Sequence, residues 1–445
     1  MEFGKFCYPA MMDRVSAARS SIAKPTFETP ASCRICGSST ELVFEFGDMP
    51  VAGYLETDEV RARSAPRFPL ALAFCPKCHL VQQAFTAANE FLVERVYSRY
   101  QPTYSASVDV GAYMSSFLDA AVARAALRPG DIVVEVGSND GRSVELVGAR
   151  GFRAIGFEPA LTLAEASRAR GCEVRNDYFG ERAADELLEE IGAVRLVYTR
   201  HTLEHAFDPL DFLRGLTRIL AADGVVVIEV PYIGLQMARN HFEAMTFQHV
   251  SYFSVFSLAR AIGIAGLTIA DLRFVSTDGG SMVICATRAR AYSDHGVSGV
   301  MEFEQQQQLD SVAGYAAFFA NVAVLRRDIP AFLGMLTHRR ERVTGYGAGG
   351  KGQSMVNMLG IDREQLPLVI DDTPGNAGCF IPGTGIEVVA SSDERCRDTN
   401  VIFLTAPTHA AEIIRKESWR IGRGTRFLGT SPGFHHIAAE QFLIR

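Results

Sequence analysis

The residues best suited by type and spacing to do chemistry lie in Ile132-Val133-Val134-Glu135-Val136-Gly137-Ser138-Asn139-Asp140-Gly141 and in Gly156-Phe157-Glu158-Pro159. The first is an apolar run ending in an acid and a glycine-bounded turn, the pattern of a buried first strand entering a helix. The second closes the next strand on Glu158. The pair suits S-adenosylmethionine. That ligand has no pyrophosphate, so it does not need three glycines presenting backbone amides to phosphate; it needs close backbone approach at Gly137 and an acid, Glu158, for its ribose hydroxyls. Asn139 and Asp140 can hold the methionine ammonium, and Glu135, Asp177, Thr199 and His201 complete the expected cofactor set. A dinucleotide site and a vacant Rossmann unit are the alternatives.

Cys33-Arg34-Ile35-Cys36-Gly37 and Cys75-Pro76-Lys77-Cys78-His79 are two C-x-x-C knuckles separated by 38 residues. A two-residue gap lets both thiolates face one ion, and Gly37 tolerates a left-handed turn after the second ligand. Cys33, Cys36, Cys75 and Cys78 are therefore expected to close a tetrahedral zinc site. Such a site is structural, because no position is left for water or substrate. His79 is expected to lie outside the ligand set.

A third cluster is Tyr198-Thr199-Arg200-His201-Thr202-Leu203-Glu204-His205, expected at the carboxyl end of a strand, where side chains face cofactor and acceptor. His201 and His205 are four apart, a metal-compatible spacing, but the sequence shows no third ligand. Positioning of cofactor or acceptor is the expected role, and His205 can also brace the loop. Further on, Thr246-Phe247-Gln248-His249-Val250-Ser251-Tyr252 sets polar groups among aromatics. A histidine in a dry pocket can accept a proton or, as a donor, stabilise an oxyanion. The alternative for His249 is a cap on the helix starting near Ser254.

Gly345, Gly347 and Gly350 satisfy G-x-G-x-x-G, with Asp371 and Asp372 ending the next strand. Alone that suggests NAD. Lys351 suggests a loop that meets phosphate, and a purely structural Rossmann unit is the third possibility.

These motifs need a scaffold of several parts. A chain of 445 residues exceeds one core. A lead-in is expected over 1–30, a zinc-binding module over 31–90, a doubly wound α/β domain over 91–295, and a helical connection with a second Rossmann-like α/β domain over 296–445. One long helical tract is expected from about 301 to 340, with Gln305 to Gln308 on its solvated face. The net charge of −7 leaves no basic surplus for nucleic acid. No apolar run is long enough to span a membrane. The N-terminus lacks a secretory core, and nine cysteines fit reduced thiols plus a metal site, so a cytoplasmic location is expected.

In this order, the motifs resemble the sugar C-methyltransferases that act on nucleotide-linked 4-keto-deoxyhexoses. The resemblance spans nearly all the chain from Cys33. It is carried by the cysteine quartet, the tyrosine-rich segment 97–104, Glu-Val-Gly-Ser-Asn-Asp-Gly, Gly-Phe-Glu-Pro, His249-Val250-Ser251-Tyr252-Phe253-Ser254, Gly279-Gly280-Ser281, and Gly345-Tyr346-Gly347-Ala348 with Lys351-Gly352. It implies a small zinc-binding module, a central Rossmann-like class I methyltransferase domain and a C-terminal Rossmann-like domain that helps bind a nucleotide-sugar. It also implies deprotonation beside a ketone and attack of the enolate carbon on the methyl, with His249 as the matching catalytic histidine. Gln248, Tyr97, Tyr100 and Tyr104 complete the implied catalytic set, and His205, Tyr252, Tyr346 and Lys351 the substrate set. The chain departs from the family's Tyr-His-Glu-His at Thr246 and Gln248, neither of which can act as a base. Either His249 acts alone or with a tyrosine, or the acceptor is another small metabolite methylated at carbon, nitrogen or oxygen. An NAD(P)-dependent oxidoreductase and a non-catalytic binding protein are the alternatives of other classes. A monomer is expected, with a dimer as the alternative.

Overall fold

The structure, a computed structural model, describes residues 32–85, 91, 92, 96, 108–288 and 296–438. The lead-in and Tyr97, Tyr100 and Tyr104 lie outside the described residues. Strands β1 (Glu41–Pro50), β2 (Arg67–Phe74) and β3 (Val81–Gln83) form an antiparallel meander. The central part supplies β4 (Ile132–Val136), β5 (Arg153–Phe157), β6 (Glu173–Arg175), β7 (Val194–Arg200) and β8 (Leu220–Pro231), then β9 (Ser251–Tyr252), β10 (Thr268–Val275) and β11 (Ser281–Thr287).

Seven of these form one sheet, in the order β10-β11-β8-β7-β4-β5-β6. The five from β4 to β8 are parallel; at one edge β11 runs antiparallel to β8, and β10 antiparallel to β11. The parallel strands are apolar almost throughout because helices cover both faces. The chain turns from one side of the sheet to the other between β4 and β7, which opens a crevice at their carboxyl ends. The glycine turn and the His201–His205 segment both empty into it.

The missing strand of that count, β9, does something the sequence reading did not anticipate. It pairs with β3, Val81 opposite Tyr252 and Gln82 opposite Ser251, so the N-terminal sheet reads β1-β2-β3-β9. The N-terminal module thus takes its last strand from the segment that carries His249.

The long helical tract is two helices, Val297–Gln306 and Val312–His338. The break falls at the end of the glutamine run, where Gln308 adopts φ +57° and a Cβ on Gly314 would lie 2.2 Å from the Gln308 carbonyl oxygen. Gln305 to Gln308 are exposed. The second helix joins the ends of the molecule: Tyr315, Phe319, Ile329 and Leu333 share one core with Phe46, Leu72 and Phe74 and with Val343 and Phe403. The C-terminal sheet has the order β14-β13-β12-β15-β16-β17, from β12 (Val343–Tyr346), β13 (Leu368–Ile370), β14 (Glu387–Val389), β15 (Val401–Leu404), β16 (Arg426–Gly429) and β17 (His435–Ile437). Only β17 is antiparallel to its neighbour. No helix among the described residues is long and apolar enough to cross a membrane.

Candidate active site

A cavity of about 300 Å³ lies at the carboxyl ends of β4, β5 and β7. Gly137 makes its floor, with φ +80°, and an added Cβ would fall 2.0 Å from Thr202 Oγ1. Only glycine therefore lets the β4 turn and the β7 loop meet. The turn is fixed from beneath, since Gly137 N and Ser138 N both donate to the Phe157 carbonyl at 2.9 Å. Glu158 Oε2 accepts from Asn139 N at 2.9 Å and Oε1 from Ala160 N at 2.8 Å. Burial raises the pKa of this carboxyl, and the two amides offset part of that rise.

Asn139, Glu158, Asp177, His201 and His205 line the cavity with Gly137. Three residues expected there do not line it. Glu135 points beneath the sheet towards Tyr198 and Ser143, and burial lifts its pKa to about 8. Asp140 has a carboxylate oxygen 3.8 Å from Arg170 Nη1. Thr199 is buried within β7. An added group of wall residues, Thr202, Tyr178, Phe179 and Phe207, escaped the sequence reading. The aromatic ones give flat apolar walls suited to an adenine ring. The wall has one legible signal: Asp208-Pro209 starts a helix, with Asp208 accepting from Leu210 N and Asp211 N.

The cysteine quartet converges, with its four sulfurs all within 4.8 Å of one another. Four thiolates at about 2.3 Å from one zinc ion have this spread, so the donor set fits. The two knuckles repeat one backbone pattern: Gly37 N donates to the Cys33 carbonyl and His79 N to the Cys75 carbonyl, both at 2.8 Å. Gly37 and His79 both take positive φ, +69° and +57°. His79 is outside the cluster and stacks on Phe256, ring centroids 4.1 Å apart. Arg34, inside the first knuckle, donates to the Phe207 carbonyl at 2.9 Å and so ties the module to the cavity wall.

His249 is buried beside the cavity, its ring edge-on to His205 with centroids 4.9 Å apart. His205 Nδ1–H donates to the Gln248 carbonyl at 2.8 Å. Burial and the neighbouring His205 push the His249 pKa down to about 3. The ring is thus neutral at physiological pH, and it does not cap the following helix. That cap is Ser254, which accepts from Ser257 N at 3.1 Å. Tyr252 turns its hydroxyl to the Thr246 carbonyl, at 3.1 Å, and packs near His249. Gln248 reaches away to the N-terminal module: a Cβ on Gly53 would lie 2.4 Å from its Nε2.

Behind these rings lies a charged layer. His201 Nε2 is 3.3 Å from Glu229 Oε1, and Arg200 Nε is 2.7 Å from Glu229 Oε2. Burial opposes charge on His201, but Glu204 and Glu229 outweigh it and lift the pKa to about 10. Glu229 was not singled out in the sequence, although an acid inside the run Val225 to Val230 is itself a signal.

The second glycine loop is held by partners within the chain. Ala348 N donates to Asp371 Oδ2 at 2.7 Å, so the acid at the end of β13 satisfies the turn internally. Lys351 is ion-paired with Asp278, on the turn before β11, and also donates to the Asp278 carbonyl at 3.2 Å. Tyr346 is buried in the C-terminal core, bonding Asp372 at 2.9 Å and Glu417 at 3.2 Å, and it does not line the cavity.

Comparison with known proteins decides the family. Residues 33–104 match a family model described as "Putative zinc binding domain", 110–272 one described as "Methyltransferase domain", and 276–432 one described as "C-methyltransferase C-terminal domain". The C-methyltransferase NovU of Streptomyces niveus is 30% identical over 416 residues, covering 92% of this chain and 98% of NovU. The chain belongs to the C-methyltransferase family. Among solved structures, CcbJ methyltransferase from Streptomyces caelestis has 14% identity and a TM-score of 0.33, over 44% of this chain and 95% of CcbJ. Magnesium protoporphyrin IX methyltransferase from Synechocystis PCC 6803, with bound SAM, has 15% identity and a TM-score of 0.31, over 46% of this chain and 93% of its own. This C-methyltransferase is S-adenosylmethionine-dependent and carries a four-cysteine zinc-binding domain.

Proposed function

We propose that this C-methyltransferase methylates a nucleotide-linked keto-deoxysugar through an enolate. The observation that carries the reading is the placement of His249: a neutral, buried imidazole beside the cofactor cavity, held between the N-terminal and central sheets. S-adenosylmethionine supplies an electrophilic methyl on a sulfonium, and Gly137, Asn139, Glu158 and Asp177 are the residues to hold it. A sugar C–H carbon is not nucleophilic, so the acceptor must first become an enolate, and a keto group permits that.

A group with a pKa near 3 is a weak base. We therefore place His249, with His205, at the acceptor's carbonyl oxygen, and assign proton removal to a tyrosine of the 97–104 segment. Lys351 serves by fixing the Thr277–Gly280 turn, and through it the C-terminal unit, over the crevice. None of the eight cysteines among the described residues is in a disulfide, which supports a cytoplasmic setting. One observation favours a different acceptor: the Gln248 side chain faces Gly53 and supplies no carboxylate at the cavity.

Solvent deuterium exchange into a nucleotide-linked keto-deoxysugar, run with S-adenosylhomocysteine present, tests the reading. Exchange at the carbon beside the ketone is expected, and His249→Ala should abolish it. Undiminished exchange in His249→Ala would remove His249 from the reaction.

A further inference from the structure

Glu204 is the acid that the mechanism above leaves unused. It sits in the short 3-10 turn Leu203–His205, buried to 2% exposure. Neither of its carboxylate oxygens accepts a hydrogen bond among the described residues, and the nearest cation is His201, Nδ1 to Oε1 3.5 Å. A buried carboxylate needs a positive charge beside it, and His201 supplies one to Glu204. His201 is already shared with Glu229, whose own second oxygen holds Arg200. Glu204 also faces two further rings: one ligand atom each from Glu204, His205 and His249 lie within 4.8 Å of one another.

We infer that Glu204, His205 and His249 form a second metal site, for a divalent transition cation. Two imidazoles and one carboxylate are an N2O donor set, which suits zinc, manganese, iron or cobalt rather than magnesium or calcium. Three protein ligands leave coordination positions open, unlike the closed cysteine quartet. His205 belongs both to this set and to the cavity wall, so an open position is adjacent to the acceptor. The sequence hid this site because Glu204 and His249 are 45 residues apart and only the loop before β9 brings them together.

Binding of the cation does not depend on the keto-sugar reading, but its role does. Held beside a ketone, the ion would polarise the carbonyl and stabilise the enolate oxygen. That is the support which Thr246 and Gln248 cannot give.

Cobalt(II) titration of the full chain separates the two sites. The quartet gives strong near-ultraviolet thiolate-to-cobalt bands, whereas an N/O site gives only weak visible bands. Two cobalt ions per chain are expected. Glu204→Gln and His249→Gln should each lose the second ion and its visible bands while keeping the thiolate bands and S-adenosylhomocysteine binding, which report an intact fold. One cobalt per chain in the unmodified protein, or a second ion that both variants retain, would overturn the inference. Neither readout uses the acceptor, so failure to turn over a keto sugar leaves this result standing and bears only on the function proposed above.

Discussion

Gln83 Nε2 donates to the His249 carbonyl at 3.1 Å and to the Thr246 carbonyl at 2.9 Å, while Gln83 N donates to the Val250 carbonyl at 3.1 Å. One side chain of the zinc-bearing module therefore sets the backbone of the loop that presents His249. The module therefore does more than add stability: it holds the His249 loop, and its β3 pairs with the β9 that follows that loop.

Gln83→Ala should leave the buried His249 carbonyl unpaired, at a cost of about 1–3 kcal/mol, while the Thr246 carbonyl keeps the Tyr252 hydroxyl. Methyl transfer should fall steeply while S-adenosylhomocysteine affinity changes little, because the cofactor cavity is built by the central sheet. Denaturant unfolding, calorimetry and turnover read the three quantities. Unchanged turnover would separate the module from the loop.

Cys75→Ser should remove the zinc ion and, with it, the support for β3 and β9. Structural zinc binding is coupled to folding. Loss of metal, a lower unfolding midpoint and loss of methyl transfer should appear together. A metal-free protein with full activity would refute a structural role for the quartet.

Gly137→Ala puts a Cβ against Thr202 and forces a side chain into a left-handed backbone. We expect S-adenosylhomocysteine binding to weaken at least tenfold, or about 1.4 kcal/mol. Adding Thr202→Ala should restore part of it, since contact is relieved but backbone strain persists. No change by calorimetry in the single variant would mean that the cofactor does not use this turn.

Glu135 gives a pH signature. Its folded pKa, about 8, is raised from the ordinary 4.5 by burial. Between those values the folded protein keeps a proton that the unfolded chain has released. Its stabilising contribution is full below pH 4.5, falls by about 1.4 kcal/mol per pH unit across the window, and is gone above pH 8. Glu135→Gln should flatten this part of the stability profile from pH 5 to 8. Parallel profiles for the two proteins would show that Glu135 ionises normally.

What the sequence showed and hid follows from the range of each interaction. The quartet was legible because each C-x-x-C turn builds half a metal site locally, and Gly137 with Glu158 because the strand-turn-helix pattern is continuous in the chain. Glu135 and Asp140 are expected at the cavity from the sequence but do not line it, because an acid next to the turn need not face it; Glu135 lies one strand residue away from Val136 and so on the other face of the sheet. The Lys351–Asp278 pair, the Gln83–His249 contact and the approach of Glu204 to His249 join residues distant in sequence, with no local pattern to announce them. Lys351 next to a glycine loop looked ready for phosphate, and its partner could be found only by folding the chain.

The product formed from S-adenosylmethionine carrying a 13C-labelled methyl and a nucleotide-linked keto-deoxysugar shows which atom of the acceptor is methylated. Carbon NMR should show the label bonded to the carbon beside the ketone. A label on oxygen or nitrogen, or no transfer to any keto sugar alongside efficient methylation of another metabolite, would contradict the proposed reaction.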